Sequence, residues 1–153
     1  MVHSSSIRRF RAEDMEDILR VENACFGRFA YDRNLFAEYA RREGGLFLVA
    51  GMGRRICGYA IACARGGAFR HAAELVSIAV EPLARGQGVA SQLLENTFRR
   101  LRLRGIRRVA LTVRVGNRRA EALYLRFGFR RERIVPKYYE DGKDGVRMGV
   151  RWE

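Results

Sequence analysis

The chain has 153 residues, of which 48% are hydrophobic, and its 30 basic and 17 acidic residues give a formal net charge of +13. This length and apolar content exclude a disordered chain and predict a single domain over residues 1–153 with its own core. No apolar run approaches the roughly 20 residues of a membrane span, and residues 1–6 lack the apolar segment of a secretion signal, so we expect a cytoplasmic protein without membrane contact.

Apolar periodicity predicts an α/β chain with elements in the order β-α-α-β-β-β-α-β-α-β-β. The first helix is indicated by Met15, Ile18 and Val21 at helical spacing, and Asp32 and Asn117 are suited to cap the second and fourth helices. A helix between strands 74–80 and 108–113 implies that these strands are parallel. The expected strands are 6–10, 46–52, 56–64, 74–80, 108–113, 129–139 and 146–152, and the expected helices are 12–26, 33–43, 89–104 and 118–127.

The cysteine and histidine content argues against a metal site. The three cysteines show no Cys-x-x-Cys spacing and are expected to be reduced thiols in or near the core, and only two histidines could add imidazole ligands. The positive charge, nearly all arginine, favours a polyanionic ligand such as a phosphate-bearing cofactor or RNA. An arginine-rich solvated surface explains the same charge without any partner.

The segment joining strand 74–80 to helix 89–104 is the most informative part of the chain. A strand that passes through a glycine turn into a helix gathers N–H donors at one point, where the helix dipole favours an anion. Gly86 and Gly88 permit close approach of a ligand to the backbone, and Arg85 adds a fixed positive charge. The segment lacks the P-loop and dinucleotide-binding patterns, and a tight turn without a ligand is the alternative.

The pattern Arg85-Gly86-Gln87-Gly88-Val89-Ala90 after Ile78-Ala79-Val80 resembles the acetyl-CoA loop of the GNAT N-acetyltransferases. Residues 111–117 and the following Tyr124 region are similar to the second half of bacterial ribosomal-protein-alanine N-acetyltransferases. Residues 136–148 resemble the C-terminal hairpin of that group and of the N-terminal acetyltransferase catalytic subunits of archaea and eukaryotes. The resemblance implies the GNAT fold, a mixed central sheet of about seven strands flanked by about four helices.

The same resemblance implies acetyl-CoA as cofactor and a role for each segment. Backbone groups of Ile78–Val80 would pair with the pantetheine arm, and N–H groups of residues 86–91 would hold the pyrophosphate. Asn117 would orient the cofactor near its thioester, and Tyr124 would lie beside its sulfur. The alternatives are plain core positions for the strand residues, a helix cap alone for Asn117 and a packed ring for Tyr124. The expected cofactor-binding residues are Ile78, Ala79, Val80, Arg85, Gly86, Gln87, Gly88, Val89, Ala90, Ser91 and Asn117.

Acetyl transfer to an amine needs a proton acceptor for the amine and a donor for the leaving thiolate. Tyr124, with an ordinary pKa of about 10, can donate to the thiolate, and an amide in the 78–80 strand can stabilise the oxyanion. In the ribosomal-protein group a glutamate stands where this chain has Thr112, so the usual base is missing.

Glu74 is the leading replacement for the missing base. Strand alternation is expected to place it on the face of Val76 and Ile78, from which it would act through a water molecule. Glu22 and His71 are weaker candidates, and Glu74 as a plain strand-end carboxylate is the alternative.

A weakened base suits an N-terminal amine better than a lysine. The α-amine has a pKa of about 8 against about 10.4 for lysine, a difference of roughly 3 kcal/mol in reaching the neutral form. Aromatic residues in the break between the first two helices and in the last hairpin are expected to grip the acceptor, although packing alone is an alternative for each. These expected substrate-binding residues are Phe26, Phe29, Tyr31, Tyr138 and Tyr139.

The sequence therefore predicts an acetyl-CoA-dependent N-acetyltransferase acting on a protein N-terminus, such as that of a ribosomal protein, with ribosome association as a further expectation. A GNAT enzyme acting on a small amine or antibiotic is the first alternative. The second is a basic RNA- or ribosome-binding module with residues 99–108 as its footprint. Against that module, the chain shows no RNA-binding motif, and its aromatic residues do not interleave with the basic run. The acceptor and the oligomeric state stay open.

Overall fold

A seven-stranded mixed sheet with strand order β1-β2-β3-β4-β5-β7-β6 organises the computed structural model, which describes residues 5–67 and 70–153. Within these residues four α-helices flank the sheet, which confirms the predicted element order and architecture. The strands are β1 (Ser6–Arg9), β2 (Gly45–Met52), β3 (Arg55–Ala64), β4 (Ala72–Val80), β5 (Arg108–Arg114), β6 (Arg130–Val135) and β7 (Gly145–Arg151). The helices are α1 (Met15–Phe26), α2 (Arg33–Arg41), α3 (Val89–Leu103) and α4 (Arg118–Arg126).

Both predicted helix caps are present. The Asp32 carboxylate accepts a hydrogen bond from the Leu35 N–H at 2.9 Å, and the Asn117 side-chain oxygen accepts one from the Ala120 N–H at 3.3 Å. Each bond satisfies an N–H that the first turn of a helix cannot pair internally. The beginnings of α2 and α4 are therefore set by local chemistry.

The last strand pair is shorter than the sequence predicts. The expected strand 129–139 ends as β6 at Val135, because Pro136 has no N–H to donate and Lys137 adopts a positive φ of 51°. The Lys137 N–H instead donates to the Asp144 carboxylate at 3.0 Å. This bond closes the loop that carries Tyr138 and Tyr139.

Two apolar cores lie on opposite faces of the sheet. On one face α3 and α4 pack against the strands through residues such as Leu93, Leu101 and Met148. On the other face α1 and α2 cover β2, β3 and β4, with Ile18 and Phe36 fully buried.

β4 contains an irregularity that reshapes the middle of the sheet. Its antiparallel register with β3 shifts at Val76, which is an extra residue between the paired positions Leu75 and Ser77. An extra residue reverses the alternation of side chains beyond it. Ile78 therefore packs against the α3 side while Val76 packs against the α1 side, so the expectation that Glu74 shares a face with Ile78 is wrong.

β4 and β5 also separate along the sheet. The two strands are parallel, as predicted, but they pair only at residues 72–74 of β4 and 108–110 of β5. Beyond Glu74, β4 continues to Val80 and β5 continues to Arg114 without pairing to each other. The unpaired part is a cleft between β4 and β5, and residues 81–88 connect the C-terminal end of β4 to the start of α3.

Candidate active site

The turn between β4 and α3 forms a cradle of backbone donors. Gly86 and Gly88 have φ values of 79° and 81°, a left-handed conformation that glycine adopts without strain, and a Cβ placed on either would meet no atom within 4 Å. Within the part of the chain that the structure describes, no carbonyl or side chain accepts a hydrogen bond from the N–H groups of residues 86–91. The cradle therefore offers free donors at the positive end of the α3 dipole, as an anionic ligand requires.

The side chain of Arg85 lies against the end of β4. Its Nε donates to the Val80 carbonyl at 3.1 Å, and its guanidinium also contacts the Cys25 sulfur at 3.5 Å. The Cys25 thiol donates to the same carbonyl at 3.3 Å. A cofactor arm that pairs with β4 must therefore use its other main-chain groups or displace these two bonds.

Tyr124 presents a buried ring with an accessible hydroxyl. The residue is 8% exposed and packs edge-to-face on Phe129, with the ring centres 5.6 Å apart. Its hydroxyl has no hydrogen bond to the described residues, yet no buried side-chain oxygen or nitrogen among them lacks a partner, so the oxygen reaches solvent. Burial, with a smaller effect of nearby Tyr139, raises the pKa of Tyr124. The hydroxyl keeps its proton at neutral pH and is free to donate it in a hydrogen bond.

Two of the aromatic residues predicted to bind the acceptor contact an arginine that the sequence did not indicate. The Arg114 guanidinium lies 4.4 Å from the ring centre of Tyr139 and 5.5 Å from that of Phe29, and it donates to Asp141 at 2.6 Å. Tyr138 packs edge-to-face on Tyr139 at 4.9 Å. The structure thus joins the helix break and the last hairpin, as the sequence predicts, but through a cation from β5.

The other two predicted acceptor residues differ in their surroundings. Tyr31 is half-buried, and burial, together with the nearby Tyr39, Glu22 and Tyr138, raises its pKa. The Tyr31 ring packs edge-to-face on Phe36, with the ring centres 5.9 Å apart. Phe26 is 40% exposed and makes none of these ring contacts.

Glu74 is held in an ion pair by Arg147, which the sequence analysis also missed. The two side chains bind through two hydrogen bonds, one of them 2.8 Å long, and Arg65 contributes a third at 3.2 Å. Arg147 also donates to the Thr112 hydroxyl at 3.1 Å, and its bonds to Glu74 raise the pKa of Arg147. The carboxylate expected to act as the base therefore lies beside Thr112 but shares its charge with two guanidinium groups.

Glu22 differs from Glu74 because its carboxylate is buried and not ion-paired to any described residue. It is 1% exposed and accepts a hydrogen bond from the Tyr31 N–H at 2.9 Å. Burial is the main cause that raises the pKa of Glu22. The Tyr59 hydroxyl donates to Glu22, so the Ser77 hydroxyl, 2.8 Å away, donates to Tyr59. This chain connects the buried carboxylate to the surface of β4, a geometry that can relay a proton.

The remaining predicted residues occupy separate places. His71 lies at the opposite end of β4 from Val80, with its Nδ1 3.2 Å from the Gly105 carbonyl. The Asn117 side chain is exposed, and its oxygen caps α4 while its amide hydrogens bond to none of the residues that the structure describes. Among the described residues no three histidine, cysteine or acidic side chains cluster as metal ligands, and no helix has the length and apolarity needed to cross a bilayer.

Comparison with known proteins agrees with this geometry. The chain is 30% identical to an N-alpha-acetyltransferase of Sulfolobus acidocaldarius over 153 residues, covering 94% of this chain and 90% of the relative. It is 27% identical to the ribosomal-protein-S18-alanine N-acetyltransferase of Escherichia coli, whose crystal structure matches 97% of this chain and 94% of that protein with a TM-score of 0.85. The fold also matches Ard1 from Thermoplasma volcanium, with a TM-score of 0.89 at 24% identity, over 97% of this chain and 98% of that one.

A family model provides the assignment. Residues 12–129 match the model described as the Acetyltransferase (GNAT) family, which spans the first helix, the donor cradle and Tyr124. That match covers well over half of the chain and includes the cleft between β4 and β5. The chain therefore belongs to the GNAT family of N-acetyltransferases.

Proposed function

We propose that this N-acetyltransferase uses acetyl-CoA and transfers the acetyl group to the N-terminal α-amine of a protein, such as a ribosomal protein. The observation that carries the cofactor assignment is the cleft between β4 and β5, which opens directly beside the free donors of residues 86–91. A long ligand with a diphosphate at one end and an extended amide arm fits both features. When bound, acetyl-CoA supplies the acetyl group as a thioester.

The protein's part in binding rests on its main chain. The N–H groups of residues 86–91 hold the diphosphate, helped by the α3 dipole, and the open space around Gly86 and Gly88 lets it approach. Main-chain groups of Ile78–Val80 hold the amide arm along the unpaired edge of β4. Asn117 uses its free amide hydrogens to orient the ligand near the reacting end.

Tyr124 stabilises the leaving group. Its hydroxyl is protonated and without a partner among the described residues, so it can donate a hydrogen bond to a sulfur that gains negative charge. Since burial raises the pKa of Tyr124, the hydroxyl acts chiefly as a hydrogen-bond donor in this step. The ring is held by Phe129, which fixes the direction of the donor.

The acceptor side supports an α-amine. Phe29 and Tyr139 contact Arg114, and Tyr138 packs on Tyr139, which forms an aromatic cluster that suits a peptide end. Neither nearby carboxylate is a free base at the surface, since Glu74 is paired and Glu22 is buried. At pH 7 a larger fraction of an α-amine than of a lysine side chain is already neutral. Transfer to an α-amine therefore needs less proton removal by Glu74 or Glu22. The relatives named as N-alpha- and ribosomal-protein-alanine acetyltransferases support the same acceptor class.

A peptide comparison tests the proposal. The purified protein is given acetyl-CoA and two peptides of equal composition, one with a free N-terminus and no lysine, the other N-terminally blocked with one lysine. We expect kcat/KM to be at least about tenfold higher for the free N-terminus, because its pKa is lower. Faster acetylation of the blocked lysine peptide, or of a polyamine or aminoglycoside panel, contradicts the acceptor assignment. Calorimetry without detectable acetyl-CoA binding contradicts the cofactor assignment.

A further inference from the structure

Two adjoining grooves lie on the face formed by α3, the end of α4 and the segment after β7. Their volumes are about 580 Å³ and 620 Å³, and they share Arg102 and Trp152 as lining residues. None of the candidate active-site residues lines either groove. No residue of the 86–91 cradle lines either groove, and the lining residue of α3 that comes first in the chain is Glu95, one turn beyond Ser91.

Aromatic rings from three distant parts of the sequence form the first groove. Phe98 is 6% exposed and forms the floor, with the ring centres of Trp152 and Phe127 at 4.9 Å and 5.9 Å from its own. The exposed Arg102 guanidinium lies over the Trp152 ring at 4.3 Å. Leu103, which is 82% exposed, extends the apolar rim. The sequence argument that aromatics and arginines do not interleave therefore fails in three dimensions.

The arginines that line the two grooves form no ion pair with a carboxylate among residues 5–67 and 70–153. Ten arginines elsewhere in the described chain form ion pairs, but none of the five that line the grooves does so. These five are Arg99, Arg102, Arg107, Arg126 and Arg151. Two carboxylates, Glu95 and Glu153, also line the grooves and leave the positive charge in excess. The grooves thus bring five arginines together with two carboxylates and carry a net positive charge.

We propose that this face binds single-stranded RNA. A nucleotide brings a flat base and a phosphate in one unit, which matches a groove of aromatic rings and a guanidinium plane rimmed by arginines. An acidic peptide matches the charge but brings no flat group for the rings. A second copy of this chain would bring five more arginines against these five, which opposes association. The chain therefore couples an acetyltransferase site on one side to an RNA-docking face on the other.

Fluorescence of the protein's single tryptophan tests the proposal directly, because Trp152 lines both grooves. The full chain is titrated with an oligouridylate of about twelve nucleotides, and we expect saturable quenching of Trp152 that weakens as salt rises. The charge reversal Arg99→Glu with Arg126→Glu leaves the ring stack in place, and we expect it to weaken binding about tenfold or more and to reduce the salt dependence.

The matched control is Arg41→Glu with Arg54→Glu, which reverses two exposed arginines on α2 and in the β2–β3 turn. It carries the same change in net charge, and we expect its RNA affinity to stay within about twofold of the wild-type value. Circular dichroism and peptide acetylation verify that both double variants are folded.

Four outcomes overturn the proposal. Absence of quenching shows that the groove holds no RNA, and equal loss in both double variants shows that only overall charge matters. Equal affinity and quenching with an oligoglutamate identify an acidic peptide site instead. Displacement of the RNA by saturating coenzyme A assigns the binding to the cofactor site, whereas full retention supports a separate face.

Discussion

The proposed cofactor side and the proposed acceptor side of the cleft differ in the groups that are expected to bind the ligand. These are main-chain groups on the first side and side chains on the second. On the cofactor side the expected contacts are main-chain groups, the donors of residues 86–91 and the open edge of β4. On the proposed acceptor side the expected contacts are side chains near ion pairs, Arg114 with Asp141 and Arg147 with Glu74. A site made of backbone depends on conformation, whereas a site made of side chains depends on matched partners from distant segments.

This difference sets where substitutions act. The cofactor side should tolerate many side-chain changes but fail where a glycine conformation or the entry of an anion is blocked. On the acceptor side we expect a single substitution to cause a smaller loss of activity, because the neighbouring ion pairs remain and keep part of the interaction in place. Substitutions on the two sides therefore give effects of different size, and four predictions test that difference from the largest effect to the smallest.

Gly88→Glu should have the largest effect. The new residue must adopt a φ of 81° and places a carboxylate in the space expected for the diphosphate. We expect the acetyl-CoA dissociation constant measured by calorimetry to rise at least about a hundredfold, because like charge now occupies the cradle.

Gly53→Glu is its matched control. Gly53 lies in the β2–β3 turn with a φ of 63° and equally open surroundings, so the backbone strain is comparable. Equal loss of acetyl-CoA affinity in both variants means that strain alone is responsible and that residues 86–91 hold no diphosphate.

Tyr124→Phe removes the donor proposed for the leaving sulfur and keeps the ring that packs on Phe129. We expect kcat for the peptide to fall about a hundredfold, within the usual range for losing a hydrogen-bond donor to developing charge, while the acetyl-CoA dissociation constant stays unchanged. Steady-state kinetics and calorimetry separate the two quantities. Tyr39→Phe on α2 is the control, and an unaltered kcat in Tyr124→Phe rejects the donor role.

The parts of the fold fixed by local chemistry could be predicted from the sequence. Asp32 and Asn117 are read as caps because the bond each makes spans only three residues. The cradle at Gly86 and Gly88 is likewise encoded in consecutive residues, because it consists of backbone. These short-range signals explain why the helix caps and the conformation of the glycine turn were predictable.

The rest depends on contacts between distant segments. The extra residue at Val76 is defined only by pairing with β3, so simple alternation misplaced Glu74 relative to Ile78. Arg147 lies 73 residues from Glu74 in the sequence, and no local sequence pattern predicts their ion pair. The same holds for Phe98 and Trp152, whose contact creates the arginine-lined groove. Long-range pairing of this kind leaves no signal in a single sequence.

Glu74→Gln tests the base on the acceptor side. Glutamine keeps the shape beside Arg147 but cannot take a proton from the amine. We expect kcat/KM to fall about tenfold near pH 7, less than is usual for a general base because the carboxylate already shares its charge with Arg147 and Arg65. The loss should shrink as pH approaches the pKa of the α-amine, since more of the amine is then neutral. Full activity of Glu74→Gln near pH 7 transfers the role to the Glu22–Tyr59–Ser77 chain.

The smallest expected effect concerns stability at Glu22. Burial raises the pKa of this carboxyl above its ordinary value of 4.5, so the folded protein binds the proton more tightly than the unfolded chain does. At a pH below the pKa of Glu22 in the unfolded chain, the ionisation of Glu22 costs the folded state no free energy. This free-energy cost grows as pH rises through the pKa that Glu22 has in the folded protein. Glu22→Gln stays neutral and can still accept the Tyr31 N–H.

We therefore expect Glu22→Gln to gain stability relative to the wild type between about pH 4 and pH 7.5, by on the order of 1–2 kcal/mol, as measured by urea denaturation at both values. Glu43→Gln, at an exposed carboxylate before β2, is the control and should show little change. The contrary result is that the wild type becomes more stable relative to Glu22→Gln as pH rises. In that case a cation stabilises the ionised carboxylate of Glu22. Glu22 would then resemble Glu74, and the contrast between the buried and the paired carboxylate would be lost.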